Sequence, residues 1–180
     1  MAIQVVNIIP RARSGETQFD SEPNLAVNPE NPRQMAASAF TIDTSAGPDR
    51  APIYVSNDGG NTWTMSLIVP SHGGTRDISL AFGGGGALYA GIIPSVPDPT
   101  GDLPPGLNIL RTTSLFGPAP MKVLVERRGR GVDQPFVESI RIPLGAGQRD
   151  VVAVGSNDFN QPNRRTATVD FSADAAATRT

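Results

Sequence analysis

Short apolar runs alternate with turn residues along the chain, and helical periodicity is hard to find. Strand-like runs stand at 3–9 (IQVVNII), 24–27 (NLAV), 35–40 (MAASAF), 52–56 (PIYVS), 62–69 (TWTMSLIV) and 78–82 (ISLAF). They continue at 87–92 (ALYAGI), 107–112 (LNILRT), 121–126 (MKVLVE), 150–155 (DVVAVG) and 166–172 (TATVDFS). Clusters of Gly, Pro, Asn and Asp separate nearly all of them, which is how successive strands are punctuated. The pattern predicts an all-β protein.

The runs also recur. Glu22, Asp77 and Asp133 open three similar stretches, 55 and then 56 residues apart. In each, a short apolar strand leads through a loop rich in Gly, Pro or Asn to a second strand of small and β-branched residues. A third strand follows a variable insertion, and the first two units add a fourth. Four antiparallel strands in a unit of about 40–60 residues form the blade of a β-propeller. The chain then divides into a lead-in strand over 1–20, a first blade over 21–74, a second over 75–131 and an incomplete third over 132–180. Propellers close with roughly four to eight blades. Three units therefore predict a partial ring, completed by more chain, by a second copy or by another chain. The opening run 3–9 is a further candidate for a missing outer strand.

Composition agrees with many short strands: 19 Gly and 17 Pro in 180 residues, with 38% hydrophobic residues to fill a core. Net charge is −2. Arg127, Arg128 and Arg130 form a short cluster that reads as a solvated turn, and no basic stripe predicts a nucleic-acid partner. No apolar run nears the roughly 20 residues of a membrane helix. The absence of Cys excludes disulfides, thiolate catalysis and Cys-ligated zinc. His72 is the only histidine, so multi-histidine metal sites are excluded and any Ser-His-Asp arrangement would need it. The first residues lack a signal-peptide pattern, so the chain as given reads as cytoplasmic, although a secreted mature fragment with a new Met reads the same way.

One stretch is specific. Residues 56–63, SNDGGNTW, join the third and fourth strands of the first unit. Its Asp-Gly-Gly-Asn centre suits the positive φ of a tight turn. Ser56 and Asp58 can bond nearby amides, and the Trp63 ring can cover the hairpin. Ser56, Asp58, Gly60, Thr62 and Trp63 match the Asp-box pattern Ser/Thr-x-Asp-x-Gly-x-Thr-Trp/Phe. At the end of the chain, SADAAATR keeps Ser172, Asp174 and Thr178, with Ala176 for the glycine and Arg179 for the aromatic. The chain thus resembles the Asp-box (BNR-repeat) sialidase-like β-propellers from about residue 20 onward. That resemblance places the Asp boxes on the periphery and makes Asp58 structural.

The same resemblance implies an arginine that grips the substrate carboxylate, from a Phe/Tyr-Arg-Ile-Pro motif. Here IRIP supplies Arg141, Ile142 and Pro143, with Ile140 in place of the aromatic and in the third unit instead of the first. The family's tyrosine nucleophile and its glutamate come from later blades. Tyr54 and Tyr89 lie in strand runs and read as packing residues, and no motif selects Asp150 or Asp158 as an acid/base. Catalysis by these 180 residues alone is not expected. Glu22, Asp77 and Asp133 begin the innermost strands, which line a propeller's channel. An acidic ring there would suit sugar hydroxyls or Ca²⁺, the one cofactor worth considering. The alternative is that each carboxylate caps backbone amides of the neighbouring blade. The polar tract 155–165 reads as an exposed loop. The expected function is a noncatalytic module for glycan or protein recognition. The alternatives are the N-terminal half of a sialidase-like glycoside hydrolase and a structural subunit of a larger assembly.

Overall fold

A computed structural model describes residues 5, 6, 8, 21–40, 50–70, 75–94, 105–117, 121–128, 131–160, 162 and 166–172. Their runs of β-branched and aromatic residues, broken by Gly and Pro, form eleven strands in three antiparallel sheets. The first sheet is β1 (Ser21–Val27), β2 (Met35–Phe40), β3 (Arg50–Ser56) and β4 (Thr64–Pro70), in sequential order. The second repeats that order with β5 (Thr75–Phe82), β6 (Leu88–Pro94), β7 (Pro105–Thr112) and β8 (Lys122–Arg128). The third has three strands, β9 (Val132–Leu144), β10 (Gly147–Asp158) and β11 (Thr166–Ser172). Of the expected opening strand, Val5, Val6 and Ile8 are described; none is in a strand, and Ile8 packs against Tyr54 and Ala39. No helix among the described residues is long and apolar enough to cross a membrane.

The sheets stack face to face. Ala26, Ala36, Ile53 and Val55 of the first sheet pack on Leu80, Phe82, Leu88, Ile92 and Leu110 of the second. The opposite face of the second sheet presents Ala81, Tyr89, Leu107 and Ile109 to Val137, Val152 and Val154 of the third. Period-two alternation makes this possible, because the second sheet is apolar on both sides and so joins two cores. Small residues facing large ones keep the layers close.

Side chains also link the leading strands β1, β5 and β9. The Leu80 N–H donates to Asn24 Oδ1 at 2.8 Å, and the Val137 N–H donates to Ser79 Oγ at 2.8 Å. Each leading strand has a register irregularity near its start. At two of these, Glu22 and Gln134 adopt positive φ of 53° and 50°. The Gln134 N–H, turned out of the ladder, donates to Asp77 Oδ2 at 3.0 Å. An amide excluded from pairing by a bulge has found a carboxylate on the next sheet.

The 56–63 loop is closed by its own side chains. Ser56 Oγ accepts from the Gly60 N–H at 2.9 Å and donates to Asp58 Oδ1 at 2.8 Å. Asp58 in turn accepts from the Thr62 hydroxyl at 2.6 Å and the Thr62 N–H at 2.9 Å. Gly59 and Gly60 take φ of 76° and 87°, and Trp63 Nε1 donates back to the Gly60 carbonyl at 2.9 Å. The Thr62 hydroxyl first, then its N–H and the Ser56 hydroxyl, hold the Asp58 carboxyl down from 3.8 to about 2. A depressed folded value means that its contribution to stability is present above the ordinary carboxylate range and is lost as pH falls through about 2. A carboxyl-carbon NMR titration should place Asp58 near 2, and Thr62→Val should move it up toward 3.8. An ordinary midpoint in the unmodified protein would contradict this bonding.

Candidate functional site

Three loops and strands meet at Arg141. The first contribution is Glu30, from the turn between β1 and β2. Asn28 Oδ1 accepts from the Glu30 N–H at 3.0 Å, and the Asn28 N–H donates to the Gln34 carbonyl at 3.0 Å. The sequence NPENP thus builds a turn from an Asn side chain and a φ-locked Pro, and aims its Glu outward. The second is the glycine run 83–86 between β5 and β6, with Gly85 and Gly86 at φ of 63° and 71°. The Gly85 N–H donates to both Glu30 oxygens, at 3.1 and 3.0 Å.

The third contribution is β9 with its partner β10, where Arg141 lies opposite Asp150. Asp150 is 2% exposed and accepts from the Arg141 Nε–H at 3.2 Å. It also accepts from the Gly84 N–H at 3.0 Å and from the Tyr89 hydroxyl at 2.9 Å. Arg141 Nη1 lies 3.8 Å from Glu30, so one guanidinium bridges a buried and an exposed carboxylate. Its side chain is 34% exposed. Burial, followed by its bond to the Asp150 carboxylate and that group's negative charge, pushes the Tyr89 phenol well above its usual range. Tyr89 therefore stays protonated, as a donor, across the ordinary pH range. Arg111 sits over the Tyr89 ring, 5.7 Å from its centroid.

Beside Arg141 opens a cleft of about 480 Å³. Its lining includes Glu30, Phe82 and Gly84 on one side, with Glu138, Ile140 and Val151 on the other. Glu138 and Ile140 are exposed, and they stand on the face of the third sheet that points away from the second. Carboxylates, a guanidinium and apolar side chains thus border one concavity.

The sequence candidates fall in separate places. Arg141 lies within β9. Glu22, Asp77 and Asp133 lie at the starts of β1, β5 and β9: Glu22 is exposed, Asp77 bonds Gln134, and Asp133 pairs across from Asn157. No group of three or more Asp, Glu or His among the described residues is placed to hold a metal ion. Tyr54 and Tyr89 are both buried. Asp158 accepts from the Asn160 N–H at 2.9 Å within the turn after β10. Ser172 is buried at the end of β11. His72, Arg130, Asp174 and Thr178 lie outside the described residues, as do the side chains of Arg127 and Arg128. Glu30 and the glycine run carried no site signal of their own. Asp150 did carry one, since it shares the inward parity of Val152 and Val154.

An all-β body of stacked antiparallel sheets with a cleft at the joint between them is the class that these features define. No protein-family profile matches the chain. No curated protein sequence matches it either. Among solved structures it is similar to a mutant α-L-arabinofuranosidase from Fusarium graminearum in complex with an iminosugar inhibitor, at 14% identity and a TM-score of 0.52. That superposition covers 93% of this chain and 48% of the enzyme, so the chain spans about half the enzyme's length. The likeness is one of fold, to a propeller enzyme. Weaker matches are a mutant GH43 protein from Bacillus licheniformis (12% identity, TM-score 0.28, 88% of this chain and 43% of that one) and an ancestral GH74 enzyme (16%, 0.30, 83% and 27%). Superpositions as loose as these two define neither fold nor function for this chain.

Proposed function

We propose that the chain is a noncatalytic propeller module, of the Asp-box kind, that recognises a glycan at the Arg141 cleft. The observation that carries the reading is the state of the charged groups there. Arg141 is held between Asp150 and Glu30, and Tyr89 is buried and bonded to Asp150. An arginine already neutralised by two carboxylates is a poor grip for a sugar carboxylate, and a buried, protonated phenol is a poor nucleophile. The cleft instead offers Glu30 and Glu138 to hydroxyls and the exposed Ile140 to the C–H face of a ring, the mixture that polar-rimmed apolar sites use.

A second reading, a partial glycoside hydrolase, draws on the fold likeness to an α-L-arabinofuranosidase about twice as long. A glycan array with the 180-residue chain, run beside turnover assays on aryl α-L-arabinofuranoside and fluorogenic sialoside, separates the two. Binding to neutral glycans without turnover, weakened at least about tenfold by Glu138→Gln or Ile140→Ala, is the expected result. Hydrolysis of either substrate, abolished by Arg141→Ala, would establish the second reading. Neither binding nor turnover would leave the chain as a structural subunit.

A further inference from the structure

The glycine run beside the cleft turns two successive amides toward carboxylates. The Gly84 N–H donates to Asp150 Oδ1 at 3.0 Å, and the Gly85 N–H donates to both Glu30 oxygens. Adjacent backbone amides turned outward in this way form an anion-binding hollow. The Arg141 guanidinium flanks it: a Cβ on Gly85 would lie 3.4 Å from Nη2 and 3.6 Å from Nη1. Neither donor depends on Glu30 for its position. Asp150 anchors Arg141 at Nε and Gly84 at its amide, and Gly85 keeps a positive φ of 63°. Glu30 itself is a loose occupant. Its side chain is 51% exposed, and its Oε1 stops 3.8 Å from Arg141 Nη1, an ion pair without a hydrogen bond.

We propose that Glu30 sets the charge selectivity of the cleft, as an internal carboxylate seated on the donors that a ligand carboxylate would use. The inference rests on the reading of the cleft as a glycan site and names its class. Neutral sugars are admitted, and acidic sugars such as uronates are refused. Charge decides this. Arg141, Asp150 and Glu30 together hold one negative charge in excess. A ligand carboxylate beside Glu30 would double that excess, within the few ångströms where like charges repel even near a protein surface. A carboxylate in place of Glu30 would leave the balance as it is. It would also meet Arg141 better than Glu30 does, because a free carboxylate can approach a guanidinium in bidentate fashion. A neutral sugar needs neither donor and meets Glu30 through its hydroxyls. The seat is therefore already built, and Glu30 keeps it closed.

Glucuronate and acetate, titrated at constant ionic strength with the Gly85 amide followed by NMR, test the seat. Neither should shift that amide in the native chain. Glu30→Ala empties the seat, so both anions should bind it at least about tenfold more tightly than the native chain, with the Gly85 resonance moving. Glu30→Gln keeps an oxygen on the Gly85 amide without the charge, and its gain should be smaller. Adding Arg141→Lys to Glu30→Ala removes the guanidinium fork and should remove most of the gain. On a glycan array, Glu30→Ala should raise uronate-bearing glycans relative to neutral ones. Glucuronate binding at Gly85 in the native chain, or no gain in Glu30→Ala, overturns the proposal. A gain that leaves the Gly85 amide unmoved does so too, because the anion would then sit elsewhere. The acetate gain without any glycan binding would confirm the seat and remove the glycan reading alone.

Discussion

Asp150→Ala should cost about 3–5 kcal/mol of stability, the range for breaking a buried ion pair by removing one partner. The substitution strands three groups at once. The Tyr89 hydroxyl and the Gly84 N–H lose their acceptor in the interior, and Arg141 loses the nearer of its two carboxylates. Unsatisfied buried donors are the expensive part, since neither can reach water. Asp150→Asn keeps an acceptor oxygen and the volume, so it should cost less, about 2 kcal/mol. For a chain of this size, each kcal/mol lowers the melting temperature by about 2–4 °C, which makes the alanine variant's loss roughly 10 °C. Urea and thermal unfolding both measure it. A loss below about 1 kcal/mol for alanine would mean that water takes over the bonds and that Asp150 does not tie these groups together.

Gly84→Ala should be nearly as damaging, and its cause is separable. A Cβ at Gly84 would overlap the Arg141 guanidinium, and one at Gly83 would lie 2.7 Å from a Tyr89 ring carbon and 2.9 Å from Ser139 Oγ. Arg141 cannot simply swing aside, because Asp150 and Glu30 hold it at Nε and Nη1. Overpacking of this kind costs about 1–3 kcal/mol. If the arginine is the obstacle, Arg141→Ala should relieve it. The double variant should then lose at least about 1 kcal/mol less than the sum of the two single losses. Additive losses would place the strain in the glycine backbone and not in the contact with Arg141. Four unfolding curves settle the matter.

How far these features could be read from the sequence depends on how local their causes are. The 56–63 loop is closed by residues within four positions of one another, and so its pattern was visible at once. Most strands announced themselves by alternation between turns. The strand β9 did not, because VDQPFVESIRIPL interrupts its apolar residues with two prolines, a glutamate and an arginine. Its length follows from pairing with β10 along most of its course. The Arg141 cluster was hidden for a different reason. Its members lie 9, 57 and 111 residues from Arg141, at Asp150, Gly84 and Glu30. Nothing in the spacing of residues 30 and 141 foretells that a turn and a strand on different sheets will meet. The glycine run could be read as a turn, but its bare surface serves a close approach by a side chain from another sheet.

The bonds from Asn24 to Leu80 and from Ser79 to Val137 give the molecule a direction. In each, a polar side chain of one leading strand reaches forward to an amide of the next. Phe136 stands before Val137 as Ser79 stands before Leu80, and a phenyl ring has no atom to pass on. The series of polar latches therefore has a last member, and whatever meets the third sheet there meets oil instead of a hook. Joints inside the chain combine a hydrogen bond with apolar burial, while a joint at Phe136 would lack that latch and lean on the release of water. Such a joint tightens on mild warming and loosens in the cold.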